Sequence, residues 1–470
     1  MKQFDREIVS GNIFNSLWKL TWPLVLLNLV NGLHGFIDQI LVGHFVKVPN
    51  NAGNAAIGVS WQVFMVVVVF IASLSHGMNV LIARYSGRQD RGMVSLIFFQ
   101  SLGGAIIFLV FIVAPIGYFL APALLNFIGV ERDVYELALP YLRLLFVFNW
   151  TLFLLILVSG AIQASGFPKI ALALNVVSSL LNVLISFVLI TGIGIFPSLG
   201  VMGAGIGTVM APAVALLWAW ILIVKGYTVF DWKTFYKVLP QSEVLKVILR
   251  VGVPTGIQGV VLNLGGVLLI KFLSTLPNST AVLSAYTICY NQLFSFVTWT
   301  SFGLRSACGT VMGQNIGAGN PERGRRVVRV GAYLGSVWGA SIGFFFIFFP
   351  GYLLNLFDVQ SNELVFEYGR NLLQFLAFSA IFLSATLAMT GGIQGAGATQ
   401  IPMIIAMITQ LGILLGSCTL LYYLGSLTAY RVWGVILLSH IVRYFLTLGV
   451  FRSDRWMHTR VEVSMDIDLA

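Results

Sequence analysis

Asp38 is the residue of this chain whose chemistry most needs an explanation, because it lies near the end of the long apolar stretch 17–46. An ionised carboxylate inside a bilayer is costly unless it faces water, a partner group or a cation, or takes up a proton. On a helix that turns about 100° per residue, Asn31, His34 and Asp38 share one face. This pattern predicts that Asp38 takes up and releases a proton or a cation. The alternative is a structural acid that stays protonated or pairs with an arginine.

His34 lies one helical turn before Asp38, so the two side chains are spaced to share a proton. A His34 that hydrogen-bonds a neighbouring carbonyl explains the same spacing equally well. Both interpretations remain open from the sequence, and His34 is kept as a candidate member of the coupling site.

A second set of polar residues lies on one face of the fifth predicted span, and a conspicuous threonine follows in the sixth. Small polar side chains commonly hydrogen-bond between membrane helices, which is the interpretation favoured for the serines. For the two asparagines a binding role is equally open, because a buried amide needs several partners. In the sixth span, GVMGAGIGT (200–208) ends in Thr208, and its glycines favour close helix packing. The polar face of the fifth span comprises Asn175, Ser178, Ser179, Asn182 and Ser186.

The eighth predicted span carries polar side chains on one face, among them Asn291 and Arg305, with Tyr290 nearby. Long basic side chains near a helix end extend to the membrane interface, and we expect Arg305 to do so. The other interpretation of Arg305 is a cation that faces a cavity. The candidate contacts of a substrate are Asn31, Asn175, Gln163, Asn291 and Tyr290.

The composition places most of the chain in a membrane. Its 470 residues are 58% hydrophobic and 9% charged, whereas soluble domains average about 25% charged residues. The net charge of +10 would suit a nucleic-acid partner, but the basic residues lie in short loops between apolar runs, so none is expected. The three cysteines occupy apolar helical stretches without CxxC spacing and are interpreted as core residues.

Soluble catalytic constellations are not evident in the sequence: we find no Walker loop, HExxH or metal-spaced Cys/His pattern, and the GxSxG match GASIG (339–343) lies inside the predicted span 328–349. The chain is therefore not expected to be an enzyme or to hold a cofactor or metal. Without a nucleotide site, the energy for any transport must come from an ion gradient.

About twelve apolar runs are long enough to cross a bilayer as helices. Nineteen of the 27 basic residues lie in the loops of one side or at the span ends next to them, and the positive-inside rule makes that side cytoplasmic. Both termini are therefore predicted to be cytoplasmic, in a multi-pass protein of the plasma membrane. The predicted spans are 17–46, 56–82, 94–120, 138–160, 169–190, 203–224, 247–275, 281–308, 328–349, 371–391, 402–424 and 432–451.

The two halves of the chain repeat. GAIQASGFPKI (160–170) aligns without a gap on GGIQGAGATQI (391–401), and the same offset, which we term the repeat register, places Pro23 on Pro254. The chain is thus predicted to be an all-α membrane protein of two six-helix lobes, related by an axis along the membrane normal, with a site between or within them. The expected parts are an N-terminal lobe (1–225), a cytoplasmic linker (226–246), a C-terminal lobe (247–452) and a cytoplasmic tail (453–470).

Together these features resemble the multidrug and toxic compound extrusion (MATE) family over essentially the whole chain. The residues that carry the resemblance include Pro23, the segment FIDQILVGHF around Asp38, and AAIG (55–58). GQNIGAGNPERGR (313–325) and the paired GxIQxxG segments support it further. The resemblance implies a V-shaped pair of six-helix lobes that exports substrates against an inward flow of H⁺ or Na⁺.

The pattern is closest to the DinF-like branch of that family, which implies a cation or proton site in the N-terminal lobe. The resemblance assigns to that site the first-span Asp38, the fifth-span Asn182 and the sixth-span Thr208. Ser186 stands where the family usually has an aspartate. A single carboxylate among neutral oxygens makes a weaker Na⁺ site and suits a proton at least as well, because desolvation favours the protonated acid. H⁺ is therefore favoured over Na⁺, and loss of ion coupling stays open.

The sequence thus predicts a cation-coupled antiporter that works by alternating access, with helix bending at Pro23. Its substrates are expected to be small, amphipathic and cationic organic compounds that stack on aromatic side chains, and the protein is expected to be a monomer. The alternative is a flippase for a lipid-linked sugar or another amphipathic lipid, which needs a cationic cavity. Arg305 discriminates between them: a central position favours the flippase, and an interfacial one favours the antiporter.

Overall fold

The computed structural model describes residues 3–46, 52–237, 239–357, 363–459 and 461, with 33–36, 38, 39, 66 and 237 described by their backbone alone. Every regular element in these ranges is helical. The α-helices are α1 (Glu7–Ser10), α2 (Ile13–Phe45), α3 (Ala52–Gly87), α4 (Arg91–Phe108), α5 (Ala114–Ile128), α6 (Arg132–Phe148), α7 (Trp150–Ala164), α8 (Pro168–Thr191), α9 (Val201–Val224), α10 (Ser242–Ser274), α11 (Ser279–Tyr286), α12 (Phe294–Gly317), α13 (Pro321–Phe348), α14 (Pro350–Asn355), α15 (Glu363–Gly395), α16 (Gln400–Met407), α17 (Gly416–Tyr423) and α18 (Ala429–Arg452). Short π-helical segments join some of them: Leu109–Val113, Thr287–Leu293 and Ile408–Leu415.

The membrane spans follow from the lengths of these helices. In the described ranges ten helices are long and apolar enough to cross a membrane, and α6 with α7, which meet at a bend of 46°, would form an eleventh. The remaining predicted span, 281–308, lies in the helical run formed by α11, the π-helical segment and α12. That run carries Arg305 among hydroxyl and amide side chains, which lowers its hydropathy. The fold is the all-α membrane architecture that the sequence predicts.

The helices form two compact units, and two of the helices contribute to both. Apart from short terminal segments, unit 1 takes Leu26–Val253 and unit 2 takes Arg6–Val25 and Pro254–Arg460. The division falls two residues after Pro23 in α2 and directly before Pro254 in α10. A proline inside a helix removes one backbone hydrogen bond and eases bending there. The repeated prolines therefore lie where each helix leaves one unit and enters the other.

Small residues let helices of unit 2 approach closely. Along α13, glycines recur every fourth residue, and a Cβ at Gly335 or Gly343 would lie 2.9 or 2.7 Å from a backbone carbonyl of α15. In a bilayer the hydrophobic effect does not drive helices together, because lipid tails are as apolar as the helix surfaces. Close packing of this kind therefore holds membrane helices together. This packing fixes α15, which carries the second GxIQxxG segment, as a central element of the unit.

Candidate functional site

A buried polar pair links α8 and α9 in unit 1. The Nδ2 of Asn182 donates to Oγ1 of Thr208 at 3.4 Å, and the Thr208 hydroxyl donates to the Ala204 carbonyl at 2.9 Å. Both side chains are 0% exposed. The two helices approach because a Cβ at Gly203 would lie 2.7 Å from the backbone of Leu189. The glycine-rich start of α9 thus serves packing and brings together two residues that the sequence assigns to the coupling site.

Ser186 completes this polar face one helical turn after Asn182. Its hydroxyl oxygen is fully buried, lies against Gly207 of α9, and has no hydrogen-bond partner among the described residues. An unsatisfied buried hydroxyl typically costs about 1–3 kcal/mol, so hydrogen bonding between helices does not account for Ser186, and its place in the coupling site stays a prediction.

Asp38 and His34 belong to α2 by their backbone, but their side chains lie outside the described part of the chain. Their assignment to the coupling site stays a prediction. Pro23 lies within the same helix, as expected.

The predicted substrate contacts occupy different environments. Asn175 is buried and donates from Nδ2 to Oγ of Ser159 at 2.9 Å and to the Ala171 carbonyl at 2.8 Å, so its amide nitrogen links α8 to α7. Gln163 is half-buried at the end of α7, and Asn31 is exposed on α2. The contact of these residues with a substrate stays a prediction.

Unit 2 contains a polar chain built on Arg305. Its Nε and Nη2 donate to Oε1 of Gln394 at 3.1 and 2.6 Å, and Nε2 of Gln394 donates to Oε1 of Gln258 at 2.8 Å. This series of hydrogen bonds forms because Gly391 and Gly395 of α15 pack closely against the backbone of Arg305 and Gly309 in α12. The second GxIQxxG segment therefore places its glutamine directly on the arginine.

Arg305 is held by contacts within unit 2. Its guanidinium donates to Gln394, and the guanidinium carbon lies 5.9 Å from the centre of the Phe302 ring. The residue lies twelve residues before the end of α12 at Gly317, which is about 18 Å along the helix. The extension of Arg305 to the membrane interface stays a prediction.

Arg443 of α18 is a functional candidate that the sequence reasoning missed. The residue is 6% exposed, and it makes no hydrogen bond or ion pair with any residue that the structure describes. It lies within electrostatic range of Tyr290, Arg305 and His440. The available signal was an arginine in the middle of an apolar run in a lobe whose spans contain no acid.

Aromatic rings form a continuous stack beside these arginines, which we term the aromatic ladder. The rings of Trp433, Tyr286, Tyr290, Phe294 and His440 follow one another with centroid separations of 6.2, 5.0, 5.4 and 6.0 Å. Successive planes deviate by no more than 29°. Tyr290 belongs to the π-helical segment Thr287–Leu293, a feature that is frequent at functional sites. The predicted candidate Asn291 follows it and is exposed.

In the described ranges, no group of three His, Cys, Asp or Glu side chains is close enough to hold a metal ion. Cys289, Cys308 and Cys418 are buried and free, consistent with a core role.

Known proteins resemble this chain over nearly its whole length. A probable multidrug resistance protein NorM from Thermotoga maritima is 27% identical over 94% of this chain and 93% of its own. A probable multidrug resistance protein YoeA from Bacillus subtilis is 24% identical over 94% of each chain.

Solved structures share the fold. A MOP superfamily transporter from Pyrococcus furiosus superposes with a TM-score of 0.86 at 22% identity, covering 96% of this chain and 98% of its own. An outward-facing MATE family transporter superposes with a TM-score of 0.85 at 22% identity, with the same coverage.

The MatE family profile matches residues 23–188 and again 254–417. The matched ranges begin at Pro23 and Pro254, where the repeated helices pass between the units. Because both repeats match and together make up most of the chain, this protein belongs to the MatE family of membrane transporters.

Proposed function

We propose that this protein is an ion-coupled antiporter that exports small amphipathic organic compounds by alternating access, with H⁺ favoured over Na⁺ as the coupling ion. The observation that carries the proposal is the buried Asn182–Thr208 pair with the unsatisfied hydroxyl of Ser186 beside it. These groups belong to the unit that also contains Asp38. Neutral oxygens around a carboxylate suit reversible protonation, because they stabilise the acid without supplying a second charge.

In this mechanism Asp38 takes up a proton from outside, α2 changes its bend at Pro23, and the cavity of the N-terminal lobe is reshaped. Protonation and substrate binding then compete, which couples inward H⁺ movement to outward export. The position of Pro23 beside the point where α2 passes between the units supports this hinge.

The substrate class draws on two sources. The related proteins NorM and YoeA are named as probable multidrug resistance proteins, which supports export of varied organic compounds. The candidate contacts are Asn31, Asn175, Gln163, Asn291 and Tyr290, and the protein is proposed to act as a monomer in the plasma membrane with cytoplasmic termini. The expected positive charge of the substrates stays a prediction, against which the two arginines of unit 2 argue.

The test uses purified full-length protein in liposomes, with pH and Na⁺ gradients imposed separately and transport of an amphipathic dye as the readout. We expect the pH gradient to drive transport, and we expect Asp38→Asn to lower the driven rate by about tenfold or more, because an amide takes up no proton. A fully coupled Asp38→Asn variant would rule out the mechanism. Arg329→Gln, on an exposed face of α13, is the control.

A lipid flippase is the second candidate function, and the hydrogen bonds that hold the Arg305 cation to Gln394 within unit 2 favour it. A fluorescent phosphatidylglycerol analogue in the inner leaflet, with a membrane-impermeant quencher outside, would report flipping. Gradient-dependent exposure of the lipid without dye export would replace the antiporter by the flippase.

A further inference from the structure

We propose that the interior of unit 2 holds a binding site for the anionic group of an amphipathic substrate. In this site Arg443 and Arg305 bind a carboxylate, phosphate or sulfonate, and the aromatic ladder receives the apolar body. The inference rests on the proposed transport function and assigns the substrate a negative group in place of the expected positive charge.

The first argument is charge. Arginine stays protonated in proteins, so Arg305 and Arg443 each bring a full positive charge into the lobe. The sequence has no Asp or Glu in 254–321 or in 368–453, so the spans that surround them supply no counter-charge. A buried, unpaired ion is strongly unfavourable. An anionic ligand is the partner that this lobe lacks.

Other arginines of unit 2 show what a structural arginine looks like in this fold. Arg323 donates to the Ile8 and Gly11 carbonyls at 2.6 and 2.8 Å and to Oδ1 of Asn315 at 2.8 Å. Arg325 donates to Asp454 and to the Arg452 carbonyl at 2.5 and 2.6 Å. Each of these guanidinium groups is therefore held by several acceptors. Among the described residues, Arg443 has no such acceptor, which sets it apart from a purely structural role.

The second argument is a set of buried nitrogens without a hydrogen-bond partner in the described ranges. They are Nε2 of Gln258, Nδ1 of His440 and Nε1 of Trp433. Because Arg305 can only donate, Gln394 turns its side-chain oxygen to Arg305 and its amide nitrogen to Gln258. The amide nitrogen of Gln258 is then left as the unused donor. Gln258 bonds the glutamine that holds Arg305, and His440 lies one turn before Arg443, so these two nitrogens lie near the cations and suit an acceptor-rich anion, whereas Trp433 lies at the far end of the aromatic ladder.

The third argument is shape. Along α18, Trp433, His440 and Arg443 share one helix face. Trp433 and His440 form the two ends of the aromatic ladder, and Arg443 follows His440 by one turn. Along α12, Arg305 comes after Phe294, the ring that stacks on His440, just as Arg443 comes after His440 along α18. The lobe thus offers stacked rings that lead to two cations, which matches an aromatic body that ends in an anion.

The test is equilibrium dialysis of naphthalene-2-carboxylate against the purified full-length protein in nanodiscs. The neutral naphthalene-2-carboxamide and the cationic 2-naphthylmethylammonium are matched probes. We expect wild type to prefer the carboxylate, and Arg443→Gln to weaken its binding by about tenfold or more, since a charge-assisted hydrogen bond is lost. Arg443→Lys should retain most of the binding, and the carboxamide should respond to neither variant.

Arg305→Gln is the second variant in case Arg443→Gln fails to fold, and Arg329→Gln on the exposed face of α13 is the matched control. Carboxylate binding that is equal in wild type and a folded Arg443→Gln or Arg305→Gln protein would overturn the proposal. Tighter binding of the ammonium probe by wild type would do the same.

Competition with short-chain lipids identifies the source of the anion. Displacement of the carboxylate by dihexanoyl phosphatidylglycerol, and not by the phosphatidylcholine, supports a lipid headgroup, whereas arginine-dependent binding that neither lipid displaces supports a small organic anion. Asp38→Asn separates this inference from the antiport proposal. It should abolish coupling, whereas the loss of carboxylate binding caused by Arg443→Gln should persist in the Asp38→Asn protein, so either proposal can fail while the other stands.

Discussion

The two GxIQxxG segments share a sequence pattern but lie in different surroundings. In unit 1, Gly160 lies against the side chains of Asn79 and Ser75 in α3, and Gln163 makes no side-chain hydrogen bond to a described residue. In unit 2, Gly391 lies against the backbone of α12, and Gln394 is buried between Arg305 and Gln258. In the repeat register, the counterpart of Arg305 is Leu74. Both repeats have a close helix contact at this glycine, but only the C-terminal repeat has a cation, Arg305, at that contact.

The coupling face shows the reverse pattern. In the repeat register, Asp38 and Asn182 correspond to Leu269 and Ile413, so the C-terminal copy lacks both polar groups. Thr208 corresponds to Ser439, whose hydroxyl donates to the Thr409 carbonyl at 3.0 Å. The comparison teaches that one scaffold supports opposite charges: the acid lies in one repeat and the arginines in the other.

The largest expected effect comes from adding a methyl group to the two equivalent glycines. Gly391→Ala should lower the free energy of unfolding by about 3 kcal/mol, because its Cβ meets the Arg305 carbonyl and a helix must shift. Gly160→Ala should cost about 1 kcal/mol, because it meets the ends of flexible side chains. Thermal unfolding in detergent measures both. Equal losses would contradict the difference inferred between the two contacts.

The glutamines give the next largest contrast. Gln394→Leu removes the acceptor of two Arg305 donors and should destabilise the protein by about 2 kcal/mol. Gln163→Leu is the matched control and should change stability by less than about 0.5 kcal/mol, because no described hydrogen bond is lost. If the two variants unfold at the same temperature, Arg305 does not depend on Gln394.

Ser186→Asp tests the coupling face. A second carboxylate beside Asn182 should strengthen a cation site, and we expect Na⁺-driven dye transport in liposomes to rise by roughly tenfold. Ser417→Asp, at the half-buried counterpart of Ser186 in the other repeat, is the control and should leave the Na⁺ response unchanged. A rise in both variants would indicate a general effect of added negative charge.

The smallest effect is expected at Asn175, whose counterpart in the other repeat is the buried Ala406. Asn175→Ala loses the hydrogen bond to Ser159 and should lower the free energy of unfolding by about 1 kcal/mol. Unfolding and dye transport are measured together. A loss of transport without a loss of stability would support the predicted role of Asn175 in substrate contact.

Much of this protein follows from its sequence alone. The length and apolar character of the runs determine the helices, since the bilayer requires about 20 apolar residues per span. The constant offset between matching segments establishes the repeat, and the helical spacing of Asn182 and Ser186 places them on one face of their helix. These features depend on local periodicity, which the chain carries in its order of residues.

Tertiary structure decided the rest. Arg305, Gln394 and Gln258 are far apart in the chain, and only the close approach of α12 and α15 at Gly391 joins them. The aromatic ladder likewise combines rings from the helical run 279–317 and from α18. Whether an intramembrane arginine reaches the interface or stays inside depends on which acceptor lies within a side chain's length. Packing between distant segments sets that distance, and helical periodicity contains no information about it.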